Sequence, residues 1–264
     1  MCHYAVFMEY LYFCIYRIYV MSFFAFPLNL ISALLWIIAV VMSFRHARDS
    51  KAVRFMLSPA ATLTAIGLFS LACLIIGLTG NREWVRSVPF IIIYLFLMTV
   101  LLYVVIRGWK TGNIVRWRFL LNHAGLLLAM SSAFFGAPDS EELRLQVFKD
   151  MPAREAFRTD GARAWLSYEV ELKDFRIETY NDGTPSSYEA DVIVAGNPVT
   201  LKVNHPYSIG LAEDVYLSSY DSVSGEYCIL QVVREPWKYP ALAGIIMMLS
   251  GALLLFIQGP RKKK

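Results

Sequence analysis

Residues 89–106, PFIIIYLFLMTVLLYVVI, form an 18-residue stretch without a charged side chain. As an α-helix this stretch would be about 27 Å long, close to the ~30 Å thickness of the hydrocarbon core of a bilayer. Backbone polar groups inside lipid must find their partners within the segment itself, so the stretch predicts a transmembrane helix. Pro89 begins it, at the position in a helix where a missing N–H costs least.

Four other segments are also long and apolar: Pro27–Phe44, Met56–Thr79, Phe119–Phe135 and Pro240–Ile257. Over its 264 residues the chain is 57% hydrophobic and 17% charged, whereas a soluble domain carries about 25% charged residues. We therefore predict a membrane α-helical bundle of about five spans.

The first 25 residues leave three alternatives open. They are rich in Tyr and Phe but contain Glu9 and Arg17, so they suit a sixth span, an interfacial segment, or a translation start at Met21. No short apolar stretch with a small-residue cleavage site is evident, and we expect no cleaved secretory signal.

The predicted organisation has four parts. They are an N-terminal segment of undecided structure at 1–26, four transmembrane helices within 27–136, an inserted β-rich domain at 137–237, and a last transmembrane helix with a basic tail at 238–264.

Charge predicts the orientation. The loops 45–54 and 107–118 and the tail 261–264 hold twelve Lys and Arg against one acidic residue, while 137–237 holds nine basic and eighteen acidic residues, a net charge of −9. Alternation of five spans places the three basic segments on one side of the membrane. Because loops rich in Lys and Arg stay in the cytoplasm, we expect a cytoplasmic C-terminus and an extracytoplasmic domain.

The domain at 137–237 shows the alternation of apolar and polar residues that half-buried strands require. Asn181-Asp182-Gly183 supplies a hairpin turn, and the spacing of the strands predicts an antiparallel sandwich or an open barrel. The predicted strands are Ala164–Leu172, Phe175–Tyr180, Ser187–Val194, Val199–Val203, Asp214–Ser219 and Tyr227–Val233.

The sequence lacks the usual signatures of covalent chemistry. The cysteines are Cys2, Cys14, Cys73 and Cys228, and only Cys228 lies in the β-rich domain, so no disulfide can form within it. The chain has no Cys-x-x-Cys, glycine-rich phosphate loop, nucleophile elbow or metal-spaced His/Glu cluster. This argues against a thiol oxidoreductase, a c-type cytochrome, a hydrolase or an ATP-driven pump working alone, and we assign no catalytic residue.

His123 is the only histidine inside a predicted span. Ionisable groups in spans usually face a bundle interior or a functional site. His123 follows Arg118 by five residues, which puts it about 8 Å below the cytoplasmic surface. A neutral imidazole there could bind haem iron, and Gly125 would let a flat macrocycle approach the helix. The alternative is a structural hydrogen bond to a neighbouring helix, with Asn122 as a second polar group.

The other histidines are weaker candidates. His205 precedes a proline between two predicted strands, a setting that favours a structural role. His46 lies in a basic loop and is expected to be solvated, and His3 belongs to the undecided N-terminal segment.

Four blocks of sequence resemble one known family in their order and spacing. They are NHAGLL at 122–127, LKDFRIE at 172–178 followed by GTPSSY at 183–188, KVNHP at 202–206 followed by VYLSSY at 215–220, and VVREPW at 232–237. Together they resemble the ResB (CcsB) family, over about residues 27–259.

This resemblance implies a component of the system II cytochrome c maturation machinery in the bacterial cytoplasmic (inner) membrane. Members pair with a CcsA-type haem-handling subunit, and together they move haem outward and join it to apocytochrome c. The partners implied are therefore the CcsA-type subunit, apocytochrome c and the lipid bilayer, with no nucleic acid. His123 would match the transmembrane histidine proposed to bind haem in transit.

The chain also departs from what a complete haem lyase would need. The tryptophan-rich haem-handling segment and the paired external histidines belong to the partner subunit in this family, and nothing like them is in this sequence. We therefore expect a subunit that is inactive alone. The competing interpretation is a membrane-anchored scaffold that docks apocytochrome or stabilises the partner without binding haem.

Overall fold

The structure is a computed structural model that describes residues 24–109, 117–182, 185–221 and 225–258. The helices of this part are α1 (Leu28–His46), α2 (Lys51–Met56), α3 (Pro59–Thr79), α4 (Val88–Trp109), α5 (Trp117–Gly136) and α6 (Lys238–Gln258). The strands are β1 (Glu141–Phe148), β2 (Ala153–Arg158), β3 (Arg163–Thr179), β4 (Pro185–Val194), β5 (Asn197–Lys202), β6 (Tyr207–Ser208), β7 (Glu213–Tyr220) and β8 (Tyr227–Arg234). The chain divides into a helical unit, within Met1–Pro138 and Lys238–Lys264, and a β unit, Asp139–Trp237.

Five helices of the described residues are long and apolar enough to cross a membrane, and they are α1, α3, α4, α5 and α6. The prediction of about five apolar helices is confirmed. The N-terminal segment in which a sixth span was an alternative falls almost entirely in residues 1–23, outside the described residues.

One predicted span begins too early. The apolar segment predicted from Met56 is interrupted, because α2 ends at Met56 and α3 begins only at Pro59. Ser58 caps α3 by accepting a hydrogen bond from the backbone N–H of Ala61 at 3.2 Å, and Pro59 occupies the first helical turn. A serine followed by a proline is a helix-start signal, and it outweighs the continuity of apolar residues.

Helices α5 and α6 pack backbone against backbone. A Cβ atom added to Gly125 of α5 would lie 2.6 Å from the carbonyl oxygen of Gly244 on α6, and one added to Gly244 would lie 2.5 Å from the backbone nitrogen of Ala129. Two turns further along α6, a Cβ on Gly251 would lie 2.7 Å from Nδ2 of Asn122. Only glycine leaves room for such an approach, which small residues commonly provide between membrane helices.

Polar side chains link the other helices of this unit. Buried Asn29 of α1 donates from Nδ2 to the carbonyl oxygen of Phe135 on α5 at 2.8 Å. Trp36 of α1 donates from Nε1 to Oγ1 of Thr99 on α4 at 3.1 Å, and Tyr94 of α4 donates to the carbonyl oxygen of Met130 on α5 at 3.1 Å. Away from water, each bond also removes the cost of an unpaired polar group.

We expect Gly125→Ala to lower the stability of the helical unit by about 1–3 kcal/mol, because the added methyl group forces the α5 and α6 backbones apart. The matched control is Gly67→Ala on α3, where an added Cβ has nothing within 4 Å. Thermal unfolding of the full chain in detergent micelles measures both variants. Equal melting temperatures for the two would contradict the packing described here.

The β unit is built on one sheet. The strand order is β5-β4-β3-β2-β1-β8-β7-β6, and all pairings are antiparallel. Leu201 of β5 and Val215 of β7, near opposite ends of that order, lie in the same buried core. An isolated bridge between Lys202 and His205 lies between β5 and β6. The sheet therefore curls into an open barrel, and the alternative of a sandwich is wrong because no second sheet is present in the described residues.

The sequence missed part of this barrel. Strands β1, β2 and β6 were not predicted, and the two strands predicted at 164–172 and 175–180 are one strand, β3, with an irregularity between Leu172 and Asp174. Asn181 and Asp182 form a turn after β3, whereas Gly183 of the predicted hairpin turn lies outside the described residues.

A network of charged and polar side chains joins strand ends where the chain enters and leaves the barrel. Glu141 at the start of β1 accepts hydrogen bonds from Arg158 at 2.7 Å and from Arg234 at 2.9 Å. Arg234, at the end of β8, also donates to Glu213 at 2.7 Å, and Tyr168 of β3 donates to the same carboxylate. Tyr168 and Glu213 lie on strands that do not pair, so their hydrogen bond spans the interior of the curled sheet.

The pKa of Glu141 reports on this network. Burial alone would raise it, but hydrogen bonds from Arg158 and Arg234 outweigh burial and hold the pKa below its ordinary value of 4.5. A carboxyl group whose pKa is lowered by folding stabilises the fold above its unfolded-state pKa. That contribution is lost as the pH falls through the lowered value.

We expect Glu141→Gln to destabilise the β unit by about 1–3 kcal/mol at neutral pH, because two charge-assisted hydrogen bonds are weakened. The difference from wild type should shrink below about pH 4.5. Thermal unfolding of the full chain at several pH values measures it, with the exposed neighbour Glu142→Gln as control. A difference that stays constant from neutral to acidic pH would refute the assigned role.

Candidate functional site

The hydrogen bond that His123 makes selects the tautomer of its neutral imidazole ring. Nδ1 lies 2.8 Å from the carbonyl oxygen of Phe119, one turn earlier on α5. A carbonyl oxygen only accepts, so Nδ1 carries the proton of the neutral ring and Nε2 keeps its lone pair. Within the described part of the chain, Nε2 has no hydrogen-bond partner. A ring nitrogen that keeps its lone pair can bind a metal ion.

Phe119 holds the imidazole in a second way. Its ring stacks on the ring of His123 with 3.9 Å between the centroids and 28° between the planes. The Phe119 ring also lies against Gly108 of α4, where an added Cβ would lie 2.6 Å from Cε1 of Phe119. Helix α4 thereby fixes Phe119, and Phe119 fixes His123.

The predicted alternative of a hydrogen bond from His123 to a neighbouring helix is wrong for the described residues. His123 bonds to its own helix, and Asn122 likewise donates to the carbonyl oxygen of Arg118 at 2.9 Å. One turn further along α5, Leu127 packs on a buried cluster from three other helices, which contains Phe44, Leu102 and Tyr103. His123 is itself only partly buried, so its side chain lies at the margin of this packed region.

The expected role of Gly125 is corrected by the structure. The sequence suggested that it lets a macrocycle approach α5, but Gly125 is buried against the backbone of α6 at Gly244 and Met248. Its missing side chain serves helix packing. A ligand of His123 would therefore have to lie on another side of α5.

The remaining histidines are either exposed or outside the described residues. His205 is exposed and follows Asn204, whose φ of 60° marks a left-handed turn that asparagine tolerates. His46 is exposed at the end of α1, and His3 lies outside the described residues. No group of three His, Cys, Asp or Glu side chains that could hold a metal ion occurs among the residues that the structure describes.

Cys228 has the properties of a core residue. It is fully buried on β8, and burial raises the pKa of its thiol to about 12. Since the thiolate is the reactive form, such a cysteine is a poor nucleophile and a poor redox group. Cys73 lies on α3, and Cys2 and Cys14 are outside the described residues.

Two residues of this site were missed in the sequence. Phe119 lies four residues before His123 on one face of a helix, a spacing at which side chains meet, so its contact was open to prediction. Gly108 belongs to another helix, and no local pattern indicates that it lies against Phe119.

Comparisons with known proteins agree with the sequence resemblance. The ResB-like family model matches residues 110–227, just under half of the chain. This range includes α5 with His123 and most of the β unit. The resemblance to the ResB family is thereby confirmed over these residues.

A solved structure, "Cytochrome c Heme Lyase CcmF", is similar over 72% of this chain, with 13% sequence identity and a TM-score of 0.40. The match spans 33% of that chain, about a third of its length. Curated proteins yield no match.

Proposed function

We propose that this protein, which is ResB-like over residues 110–227, is a membrane subunit of a cytochrome c maturation complex. Its role is to help move haem across the membrane and present it for attachment to apocytochrome c. The family match supports cytochrome c maturation in general. The observation that carries the haem role is the imidazole of His123, which is fixed by Phe119 and keeps a lone pair on Nε2.

The proposed location is the bacterial cytoplasmic membrane, with five spans and the β unit on the extracytoplasmic side. Five apolar helices of sufficient length support the membrane location. The excess of twelve basic residues over one acidic residue in 45–54, 107–118 and 261–264, against the net −9 of 137–237, supports the orientation.

Haem is the cargo in this proposal, and His123 would hold its iron. Histidine is a usual axial ligand of haem. Metal-binding histidines commonly donate their other ring N–H to a backbone carbonyl, which fixes the tautomer and the ring orientation. The bond from Nδ1 to Phe119 has that form. His123 lies near the start of α5. In the proposed orientation this is the cytoplasmic side, from which haem would arrive.

The chemistry of attachment belongs to a partner in this proposal. Cys228 is buried in the core of the β unit, where its thiol is unreactive, and we assign no catalytic residue to the described part of the chain. We therefore propose that a CcsA-type subunit completes the machinery and that this chain is not catalytic alone. The β unit, with its net charge of −9, would attract a basic apocytochrome, and such attraction weakens with salt.

The first prediction from the proposed function concerns membrane topology. A reporter fused after Lys264 or inserted within 50–54 should give a cytoplasmic signal, and one inserted within 182–185 should give an exported signal. The physical reason is the retention of Lys-rich and Arg-rich loops on the cytoplasmic side. A cytoplasmic signal from the 182–185 insertion would overturn the orientation and the haem-export role with it.

The second prediction concerns His123→Ala. The variant should reach the membrane and co-purify with its partner, since an alanine is easily accommodated in a helix. It should lose haem absorbance by about tenfold or more and lose cytochrome c maturation, because the ligand to iron is removed. Added imidazole should restore part of both. The visible spectrum of the purified complex and the yield of mature cytochrome measure these effects.

His46→Ala and His205→Ala are the matched controls, since both imidazoles are exposed and neither residue belongs to α5. They should keep wild-type haem content. If His123→Ala retained as much haem as wild type and matured cytochromes normally, the haem role would fail. The scaffold interpretation, in which the β unit docks apocytochrome without haem binding, would then be the better one.

A further inference from the structure

Strand β3 changes its inward-facing residues at a bulge. Before the bulge, Val170 and Leu172 are buried in the barrel. The register then shifts between Leu172 and Asp174, and Phe175 pairs with buried Ala190 of β4. Strict alternation from Leu172 would have turned Asp174 inward and Phe175 outward. The extra residue reverses this and brings an aromatic ring into the end of the barrel.

Strand β7 also has a bulge, which turns Tyr220 inward. Val215 and Leu217 are buried, and the register shifts between Leu217 and Ser219. Tyr220 then pairs with buried Cys228 of β8. Without this bulge the inward position would fall to Ser219. Bulges at barrel rims commonly re-aim a side chain for a function.

The two re-aimed rings meet. The centroids of Phe175 and Tyr220 are 4.8 Å apart, and Tyr188 of β4 lies 4.9 Å from Tyr220. We call these three residues the far-end cluster, because the register places them at the barrel end opposite to Glu141 and Arg234. All three are only half-buried.

The fully buried core differs in character from this cluster. Its buried members are aliphatic or small residues and Cys228, with no aromatic ring among them in the described residues. Phe175, Tyr188 and Tyr220 pack against this core, but unlike its members they are aromatic and only half-buried.

Apolar surface extends beyond the cluster. Ile177 pairs with Tyr188 on the same face of the β3–β4 hairpin as Phe175 and is 40% exposed. Tyr180 is 63% exposed, and Met151, in the connection from β1 to β2 at the same end, is 60% exposed. Large apolar side chains exposed together in this way mark an interaction surface.

Acidic residues also lie at this end of the barrel, and we call them the acidic rim. They are Glu178, Asp182, Asp221 and Glu226. Three basic residues at the same end pair with carboxylates of the β unit. Lys149 lies 3.4 Å from Asp174, and Lys173 lies 3.4 Å from Asp150; Arg176 bonds Asp191 on β4.

We propose that the far end of the barrel binds an unfolded, basic segment of polypeptide that carries aromatic or aliphatic side chains. This inference rests on the proposed function and identifies where an apocytochrome would dock. The exposed rings suit side chains that a folded protein hides, and the acidic rim selects a basic chain. The same rim disfavours an anionic lipid surface, which attracts basic segments instead.

The test uses the full chain in neutral lipid nanodiscs and haem-free cytochrome c carrying a fluorescent label. Anisotropy titrations should show binding of the haem-free, unfolded chain and markedly weaker binding of folded cytochrome c of the same sequence. The double variant Tyr188→Ser/Tyr220→Ser should bind about tenfold more weakly, since aromatic residues dominate such contacts. Tyr220→Phe should bind like wild type. The matched control is Trp165→Ser, which removes an exposed ring on β3, near the other end of the barrel.

A second pair of variants tests the rim without touching the cluster. Glu178→Lys/Asp182→Lys should weaken binding and reduce its salt dependence. Glu235→Lys changes an exposed carboxylate at the opposite end and should leave affinity unchanged. If Tyr188→Ser/Tyr220→Ser misfolds, which loss of the protease resistance of the β unit would reveal, the rim variants still test whether the far end binds the unfolded chain.

Two results would overturn the inference. One is unchanged affinity of both the rim variants and a folded Tyr188→Ser/Tyr220→Ser variant. The other is displacement of the labelled chain by hemin, which would make the far end a haem surface. If either result were obtained while the wild-type protein still supported cytochrome c maturation in cells, the docking site would be refuted but the proposed function would stand. The proposed function itself would be refuted by a deletion experiment. In that case, cells lacking the protein would not regain cytochrome c maturation when the protein is reintroduced.

Discussion

At Gly125 and Gly244 the backbones of α5 and α6 touch, with no side chain between them. These are the two helices between which the whole β unit is inserted in the chain. The distance between the two helices cannot vary here without losing the contact or causing a clash, because any Cβ at either position would meet backbone atoms. The helix pair is therefore a rigid element, and α5, which carries His123, is fixed along with it.

The fixed helix explains how one histidine can be oriented without a dedicated pocket of polar residues. His123 receives its orientation from Phe119, one turn earlier, through a hydrogen bond and a ring contact. Phe119 in turn lies against Gly108 of α4. Two glycines therefore have different roles. Gly125 of α5 lets this helix pack against α6, and Gly108 of α4 leaves room for the Phe119 ring that positions the imidazole.

The two ends of the barrel in the β unit differ in chemical character. Where the chain enters and leaves, charged side chains of β1, β2, β7 and β8 bind one another. At the other end, two bulges replace polar residues by aromatic rings that stay half-exposed. Departures from local regularity that create exposed apolar surface are costly for folding alone, and they are expected where a protein binds something.

The sequence by itself determined the five membrane-length helices and five of the eight strands, with β3 predicted as two strands. The apolar segments were evident because a membrane span depends on the composition of one stretch of chain, and five such helices are present. The alternation in β4, β5, β7 and β8 was likewise local. Strand β2 was not evident, since Ala156 is its only fully buried residue and so small a side chain leaves a weak pattern.

The tertiary structure decided what no local pattern contains. The role of Gly125 depends on which side of α5 faces α6, and the sequence alone suggested a different role for it. The inward turn of Phe175 and Tyr220 depends on bulges, which exist only in relation to the strands that pair with them. The proton on Nδ1 of His123 depends on where the ring turns within its helix. Amino-acid composition and the spacing of apolar residues are properties of a single segment, so they can be read from the sequence. Strand register, packing face and hydrogen-bond partner depend on how residues contact one another in the fold.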